Sequence, residues 1–276
     1  MPYGVQKMCA VLNVSRGGYY SWLRRPESRR KEEDQKLLKD IGRIHAESKN
    51  NYGTIKTWKA LKQEGIRCGK HRVARLRQEH GIESKRRKRF KITTRSKNTK
   101  WIAPDLLKQS FFATRINQIW VGDVTAVRTK EGWLYVAILL DLYSRKVIGW
   151  SISSRNNKEL VLCVLHVALR SRNNPRGVIH HTDRGSPYGS DEYQDLLRSA
   201  GCIPSMGRKG NCYDNAVAES FFSTMKNEAI YEEEFELRKE AKIKIFEFIE
   251  IYYNRQRIHQ GIGYCTPEAM ELVAVS

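Results

Sequence analysis

No stretch of this 276-residue chain stays apolar for the roughly 18 residues needed to span a bilayer, and its start, MPYGVQKMCAVLNV, lacks the long apolar core of a signal peptide. The expectation is an intracellular, cytoplasmic protein without a membrane partner. Six cysteines are present but no Cys-x-x-Cys pair, and the nearest two, Cys202 and Cys212, have no histidine at zinc-ligand spacing. They read as ordinary thiols in a reducing compartment. Acidic residues are scarce in one region: residues 1–110 hold 29 Lys+Arg against 10 Asp+Glu, whereas the remainder holds 21 against 20. The net charge of +20 is therefore concentrated N-terminally. Such asymmetry points to a polyanion, most simply nucleic acid.

The chain divides by pattern. In residues 1–30, Val5, Met8, Cys9 and Leu12 lie at helical spacing, and Ser15 is placed to cap a second short helix carrying Arg16, Arg24 and Arg25. That is the outline of a helix-turn-helix. A charged stretch, PESRRKEEDQ, separates it from a second all-α unit, residues 31–83, with three helix-like segments. In the last of these Val73, Leu76 and His80 share a face, Lys70, Arg72, Arg75 and Arg77 supply charge, and Gly65 and Gly81 sit where C-terminal glycines belong. Residues 84–112 form a basic linker containing Arg86, Arg87, Lys88 and Arg89, suited to phosphates.

From residue 113 the periodicity changes to strands. Three apolar runs joined by tight connections, IWVGDVTAVRT, GWLYVAILLDLYS and RKVIGWSIS, predict an antiparallel meander. Alternating segments follow: a helix (ELVLCVLHVALRS), a short strand (GVIHH), a helix (DEYQDLLRSAG) and a short strand (CIPSM). Two further helices are expected, one through Glu219 and one from Lys239 to Tyr253. The sum is an α/β, ribonuclease-H-like mixed sheet with flanking helices, preceded by small all-α helix-turn-helix-type units.

Three acidic residues stand out against this frame. Asp123 lies within the first strand, Asp183 ends the fourth, and Glu219 lies in the helix after the fifth. Carboxylates at the edges of apolar elements are costly unless something cationic gathers them. Divalent metal ions would do so, and a pair of them serves phosphodiester chemistry. Asp183 and Glu219 have 35 residues between them, which alone proves little among 30 acidic residues. Asn215, Glu219 and Lys226 share one helix face, so Lys226 is either a surface coincidence or a phosphate contact near the metals.

The runs IWVGDVT, LYVAILLDLYSRKVIGW, HTDRGSPYGS, SMGRKGNCYDNAVAESFFSTMKNE and YYNRQRIHQGIGYCTPEAM together resemble the OrfB-type insertion-sequence transposases with a DDE, retroviral integrase-like catalytic core. The resemblance covers nearly the whole chain, including YGTIKTWKALKQEGI as the family's helix-turn-helix-like region, and it lacks the retroviral His-His-Cys-Cys zinc module. It implies metal-dependent DNA strand cleavage and strand transfer. Asp123 would bridge two Mg2+ or Mn2+ ions, Asp183 and Glu219 would hold one each, and Lys226 would contact the transposon end. Further DNA contacts fall to Asn215, Arg208, Lys209 and the arginines and lysine named above. Asp141 would have a supporting role, and of His180 and His181 only one would face the site. The implied partners are double-stranded DNA (element ends and target), further copies of the chain on that DNA, and the product of an upstream reading frame, within the bacterial nucleoid. The competing readings are a non-catalytic DNA-binding regulator and a ribonuclease-H-type nuclease that never joins DNA.

Overall fold

The computed structural model describes residues 4–85, 102–208 and 215–275. A five-stranded sheet in the order β3-β2-β1-β4-β5 forms the centre of the C-terminal part. Strand β1 (Ile119–Thr129) pairs antiparallel with β2 (Gly132–Asp141), which pairs antiparallel with β3 (Val147–Ser153). On its other side β1 pairs in parallel with β4 (Ile179–Thr182), and β4 in parallel with β5 (Ile203–Met206). This is the ribonuclease-H-like mixed sheet that the strand pattern predicts.

Period-two alternation divides the strands between two cores. Leu134, Val136, Ile138 and Leu140 of β2, with Ile119, Val121 and Val127 of β1, pack with α8 (Ala216–Met225) and α9 (Arg238–Phe246) through Phe221, Phe222, Met225 and Ile245. Trp120, Ala137, Leu139 and Ile148 face the other way, onto α6 (Lys158–Ser171) and α7 (Asp191–Ser199). Asp123 shares its parity with Val121 and Val127, so it belongs to the face that α8 covers. Helices α8 and α9 each run on into a π-helical turn, Lys226–Ile230 and Glu247–Tyr253.

The N-terminal units are helical, as expected. Helices α1 (Val5–Val11) and α2 (Arg16–Arg24) flank a turn in which the Ser15 hydroxyl accepts from the Gly18 N–H. Helices α3 (Arg29–Glu47), α4 (Thr54–Gln63) and α5 (Lys70–Glu79) pack around Leu37, Ile41, Ile44, Leu61, Val73 and Leu76. Gly65 and Gly81 follow α4 and α5 at φ of +81° and +63°, the left-handed conformation expected of them.

Three details differ from the sequence pattern. The charged stretch before residue 36 is no separator, because α3 already starts at Arg29, capped by Ser28 and supported by the pairs Glu27–Lys31 and Arg29–Glu33. Arg77 does not contribute surface charge: it is buried, donating to the Thr57 hydroxyl at 3.0 Å. A further helix, α10 (Pro267–Val275), follows Thr266, whose hydroxyl accepts from the Ala269 N–H at 3.1 Å. Its Glu271 accepts a hydrogen bond from the Ser144 hydroxyl (2.7 Å) and pairs with Lys146 (3.0 Å) and Arg172, pinning α10 to the core.

Two glycines of the sheet allow close approaches. A Cβ on Gly149 of β3 would stand 2.7 Å from the Val164 carbonyl oxygen of α6, and one on Gly122 of β1 would stand 2.9 Å from the flexible end of Leu139. Backbone cannot yield where a side-chain tip can. Gly149→Ala is therefore expected to destabilise the fold by about 2–3 kcal/mol and Gly122→Ala by clearly less. Urea denaturation of the two variants checks the order.

Candidate active site

Asp123 sits in mid-β1, its register partner on β2 being Ile138. Its Oδ1 accepts from the Val124 N–H at 2.8 Å, which orients the carboxylate. Asp183 is the first residue beyond β4, where a parallel strand ends and the chain turns. Its Oδ1 accepts from the Gly185 N–H at 2.9 Å, and a Cβ on Gly185 would stand 2.8 Å from that oxygen, so a larger residue there would displace the carboxylate. Glu219 lies in the first turn of α8, where the positive end of the helix favours a carboxylate.

The three carboxyls act on one another. Burial raises the Asp123 carboxyl well above the usual carboxylate range, the charges of Asp183 and Glu219 add to this, and Lys226 opposes it. Burial also raises Asp183, against its Gly185 N–H and His181. Glu219 is raised by burial and then by Asp183. Lys226, the first residue of the π turn, is buried; this lowers its ammonium, while Asp123 favours its charge. Negative charge has thus been collected from three separate elements without full compensation.

Among the described residues no three His, Cys, Asp or Glu side chains close around a single point as a finished metal shell. The donor chemistry nonetheless fits hard divalent cations, which take carboxylate and amide oxygens and leave positions to water and phosphate. Asn215 adds to the fit. It stands at the N-cap of α8 but does not cap it: its Nδ2 donates to the Gly122 carbonyl at 3.2 Å and its buried Oδ1 has no partner.

The neighbours sort themselves by strand face. His180 meets the Tyr193 hydroxyl at 3.0 Å and is held neutral by burial, with its pKa lowered to about 3. His181 meets the Ser205 hydroxyl at 2.8 Å and acts on Asp183 by its charge. Asp141 is wholly buried, taking N–H groups of Asn117 (2.8 Å) and Tyr143 (2.9 Å), and so ties the β2–β3 turn to the approach to β1. The sequence pattern did not single out Tyr188. Its buried ring lies in the short 3-10 turn Ser186–Gly189, and its hydroxyl is raised by burial, by Tyr193 and then by Asp123 and Asp183. The run SPYG, directly after Asp183, was the available signal.

The candidate DNA contacts are not gathered in one place. Arg16, Arg24 and Arg25 are exposed on or beside α2, and Arg208 is exposed after β5. Arg72 and Arg75 both point back to Asp34 of α3, at 2.5 Å each. The exposed edge of α5 instead carries Lys70, His71 and Gln78, with Arg67 just before it. Lys209, Arg86, Arg87, Lys88 and Arg89 lie outside the described residues.

A raised carboxyl weakens the native state as pH rises from the ordinary carboxylate range to the raised value. Without metal, Asp123→Asn should stabilise the protein at pH 8 by roughly 1 kcal/mol, and the gain should shrink toward about pH 3, below the ordinary aspartate range, where the unfolded carboxyl is protonated as well. Urea denaturation in chelator at the two pH values measures it.

Comparison with known proteins places this geometry. Residues 113–212 match the Integrase core domain family, residues 200–267 match a second Integrase core domain family, and residues 32–90 match an HTH-like domain. The chain is similar to the insertion element IS600 31 kDa protein of Shigella sonnei, with 44% identity over 95% of this chain and 96% of that one. It is similar to the transposase InsF for insertion sequence IS3A of Escherichia coli (strain K12), with 38% identity over 98% of this chain and 94% of that one. Among solved structures it is similar to the HTLV-2 integrase catalytic core domain in complex with magnesium, at 17% identity and a TM-score of 0.45, covering 58% of this chain and 99% of that one. The chain belongs to the insertion-sequence transposases, and its function is transposition by DNA cleavage and strand transfer.

Proposed function

We propose that Asp123, Asp183 and Glu219 are the catalytic, metal-holding residues of a DDE polynucleotidyl transferase. The observation that carries this is their convergence: three carboxyls from β1, the end of β4 and α8 lie near enough that Asp183 acts on both Asp123 and Glu219, beside a buried lysine that acts on Asp123. Asp123, Asp183 and Glu219 would together hold two divalent ions, Mg2+ or Mn2+. Bound there, they supply activation of the attacking oxygen and stabilisation of the leaving one. The chain's own groups do the rest. Asp123 and Asp183, each oriented by a backbone N–H, present fixed oxygens, and the Asn215 Oδ1 offers one more acceptor. Lys226 holds its ammonium at the triad, where it balances charge and meets a phosphate oxygen of the transposon end. Neither hydrolysis of one strand nor attack by the freed 3′ hydroxyl requires a protein nucleophile.

The helical units grip the DNA. Arg16, Arg24 and Arg25 line one exposed edge, and Arg67, Lys70, His71 and Gln78 form the readable face of α5, since α3 claims Arg72 and Arg75. Arg208, Lys209 and the basic run Arg86–Arg89 extend the phosphate contacts. The chain works as a homo-oligomer on paired element ends, with the product of an upstream reading frame, in the bacterial cytoplasm at the nucleoid. No helix of the described residues is long and apolar enough to cross a membrane.

Asp123→Asn, Asp183→Asn and Glu219→Gln should each lower strand transfer by roughly a thousandfold while end binding stays within about twofold. A labelled 3′-OH end, target DNA and magnesium form the assay, and efficient joining by any of the three would sink the assignment. In the helical domain, Lys70→Ala should weaken end binding and reduce its salt slope by about one. Arg72→Ala should lower the thermal midpoint of the protein instead, with the salt slope unchanged.

A further inference from the structure

The segment after the second π turn, residues 254–264, carries a buried ion pair that the chemistry above does not use. The Nε and Nη2 groups of Arg257 donate to the two Glu228 carboxylate oxygens, at 2.8 and 2.7 Å, and the side chains are only 6% and 10% exposed. Burial works against this guanidinium, and Glu228 keeps it charged. Arg257 also donates to the His259 ring at 3.3 Å, and that ring packs edge-on against Tyr253 at 4.6 Å. A bidentate pair of this kind specifies geometry as much as it adds energy.

Each end of the pair leads somewhere. Glu228 is in the π turn Lys226–Ile230, two residues from Lys226 and on the same continuous helix as Glu219. Arg257 is next to Ile258, whose side chain is inserted into the core of the helical domain beside Leu37, Ile41 and Leu61. The Ile258 N–H donates to the Tyr52 hydroxyl at 2.9 Å, and that hydroxyl donates to the Gln256 carbonyl at 3.2 Å. Gln63 of α4 donates to the Tyr264 carbonyl at 2.8 Å, and Lys85 pairs with Glu232 at 2.5 Å. These contacts of the helical domain with the core all fall on residues 232–264, and none of them on the sheet.

Two successive helices with π turns add to this. The extra residue of a π turn shifts the register of the face beyond it, and such turns recur at functional sites. Lys226, at the start of the first turn, stays near Asp123 while Glu228 within the turn meets Arg257, and the second turn sets Tyr253 against Phe221 of α8 at 4.7 Å.

We propose that Arg257 is a positioning residue: by clasping Glu228 it locks the helix of Glu219 and Lys226 to the segment on which the helical domain is mounted, so that this domain's grip on a DNA end sets which phosphodiester reaches the carboxylates. This rests on the triad and helical-domain roles given above. The pair therefore governs the precision of the cut.

The test uses the full chain and a duplex bearing the terminal repeat of its own element, with cleavage products mapped to single-nucleotide resolution. Arg257→Lys and Glu228→Gln should bind the duplex within about twofold of the parent, yet cleave at least roughly tenfold more slowly and scatter their cuts over neighbouring phosphodiesters. Tyr52→Phe, which loosens the mount from the other side, should scatter cuts in the same way. The exchanged pair, Glu228→Arg with Arg257→Glu, should narrow the scatter again. A single parental cut position in folded Arg257→Lys, or a loss of rate that only follows the loss of folded protein, overturns the proposal. Should the ion-pair variants not fold, a single cut position in Tyr52→Phe overturns it. Cleavage by Asp183→Asn in the same assay would overturn the triad, and that result is independent of where the Arg257→Lys cuts fall.

Discussion

Repulsion among three carboxyls is the constraint around which the C-terminal part is organised. Burial raises the proton affinity of all three, Asp183 and Glu219 raise Asp123 further, Asp183 raises Glu219, and no buried arrangement of that kind forms cheaply. The fold offsets the cost through its own architecture. Strand β1 pairs with β2 from Trp120 to Thr129 and with β4 at Ile119–Val121, so the backbone beneath Asp123 is held in register. Backbone N–H groups hold one oxygen of each aspartate, the start of α8 favours Glu219, and Lys226 places a buried cation beside them. On the proposed assignment such a site suits divalent cations, and stability is given up for function.

A second organising feature is the mounting of the helical domain on the tail of the catalytic core and not on its sheet. The sheet supplies Asp123 and ends directly before Asp183. The helix bearing the third continues, through its π turn, into the structure that carries the DNA-binding unit. Grip and chemistry therefore meet on one continuous piece of backbone. The buried pair of Arg257 and Glu228 is where that backbone is clasped to the tail. Buried ion pairs are poor sources of net stability, and their worth lies in fixing one arrangement.

Much of this was legible from residue order, for identifiable reasons. The strands of the meander carry period-two patterns long enough to exclude helices, and β4 and β5 are short apolar runs set between amphipathic helices. Ser15, Gly65 and Gly81 mark helix ends because capping depends on a few adjacent atoms. Asp123 was suspicious in an apolar strand for the same local reason. The start of α3 was misread because dense charge resembles a linker until i,i+4 pairing is considered, and α10 was passed over although Thr266-Pro267 announces it. The pointing of Arg72 and Arg75 to Asp34, 38 and 41 residues away, was beyond any local pattern.

Sequence by itself determined the elements, their order, the basic bias of the first 110 residues and the acidic residue types, because all of these follow from neighbours within one turn or one strand. Tertiary structure alone decided which charges are spent inside the protein and which remain for DNA. It buried Arg77, withdrew Arg72 and Arg75, turned Lys226 inward, orphaned the Asn215 oxygen and joined Glu228 to Arg257. The physical reason is that desolvation and Coulomb energy depend on distance through space, which pairs residues from elements remote in the chain.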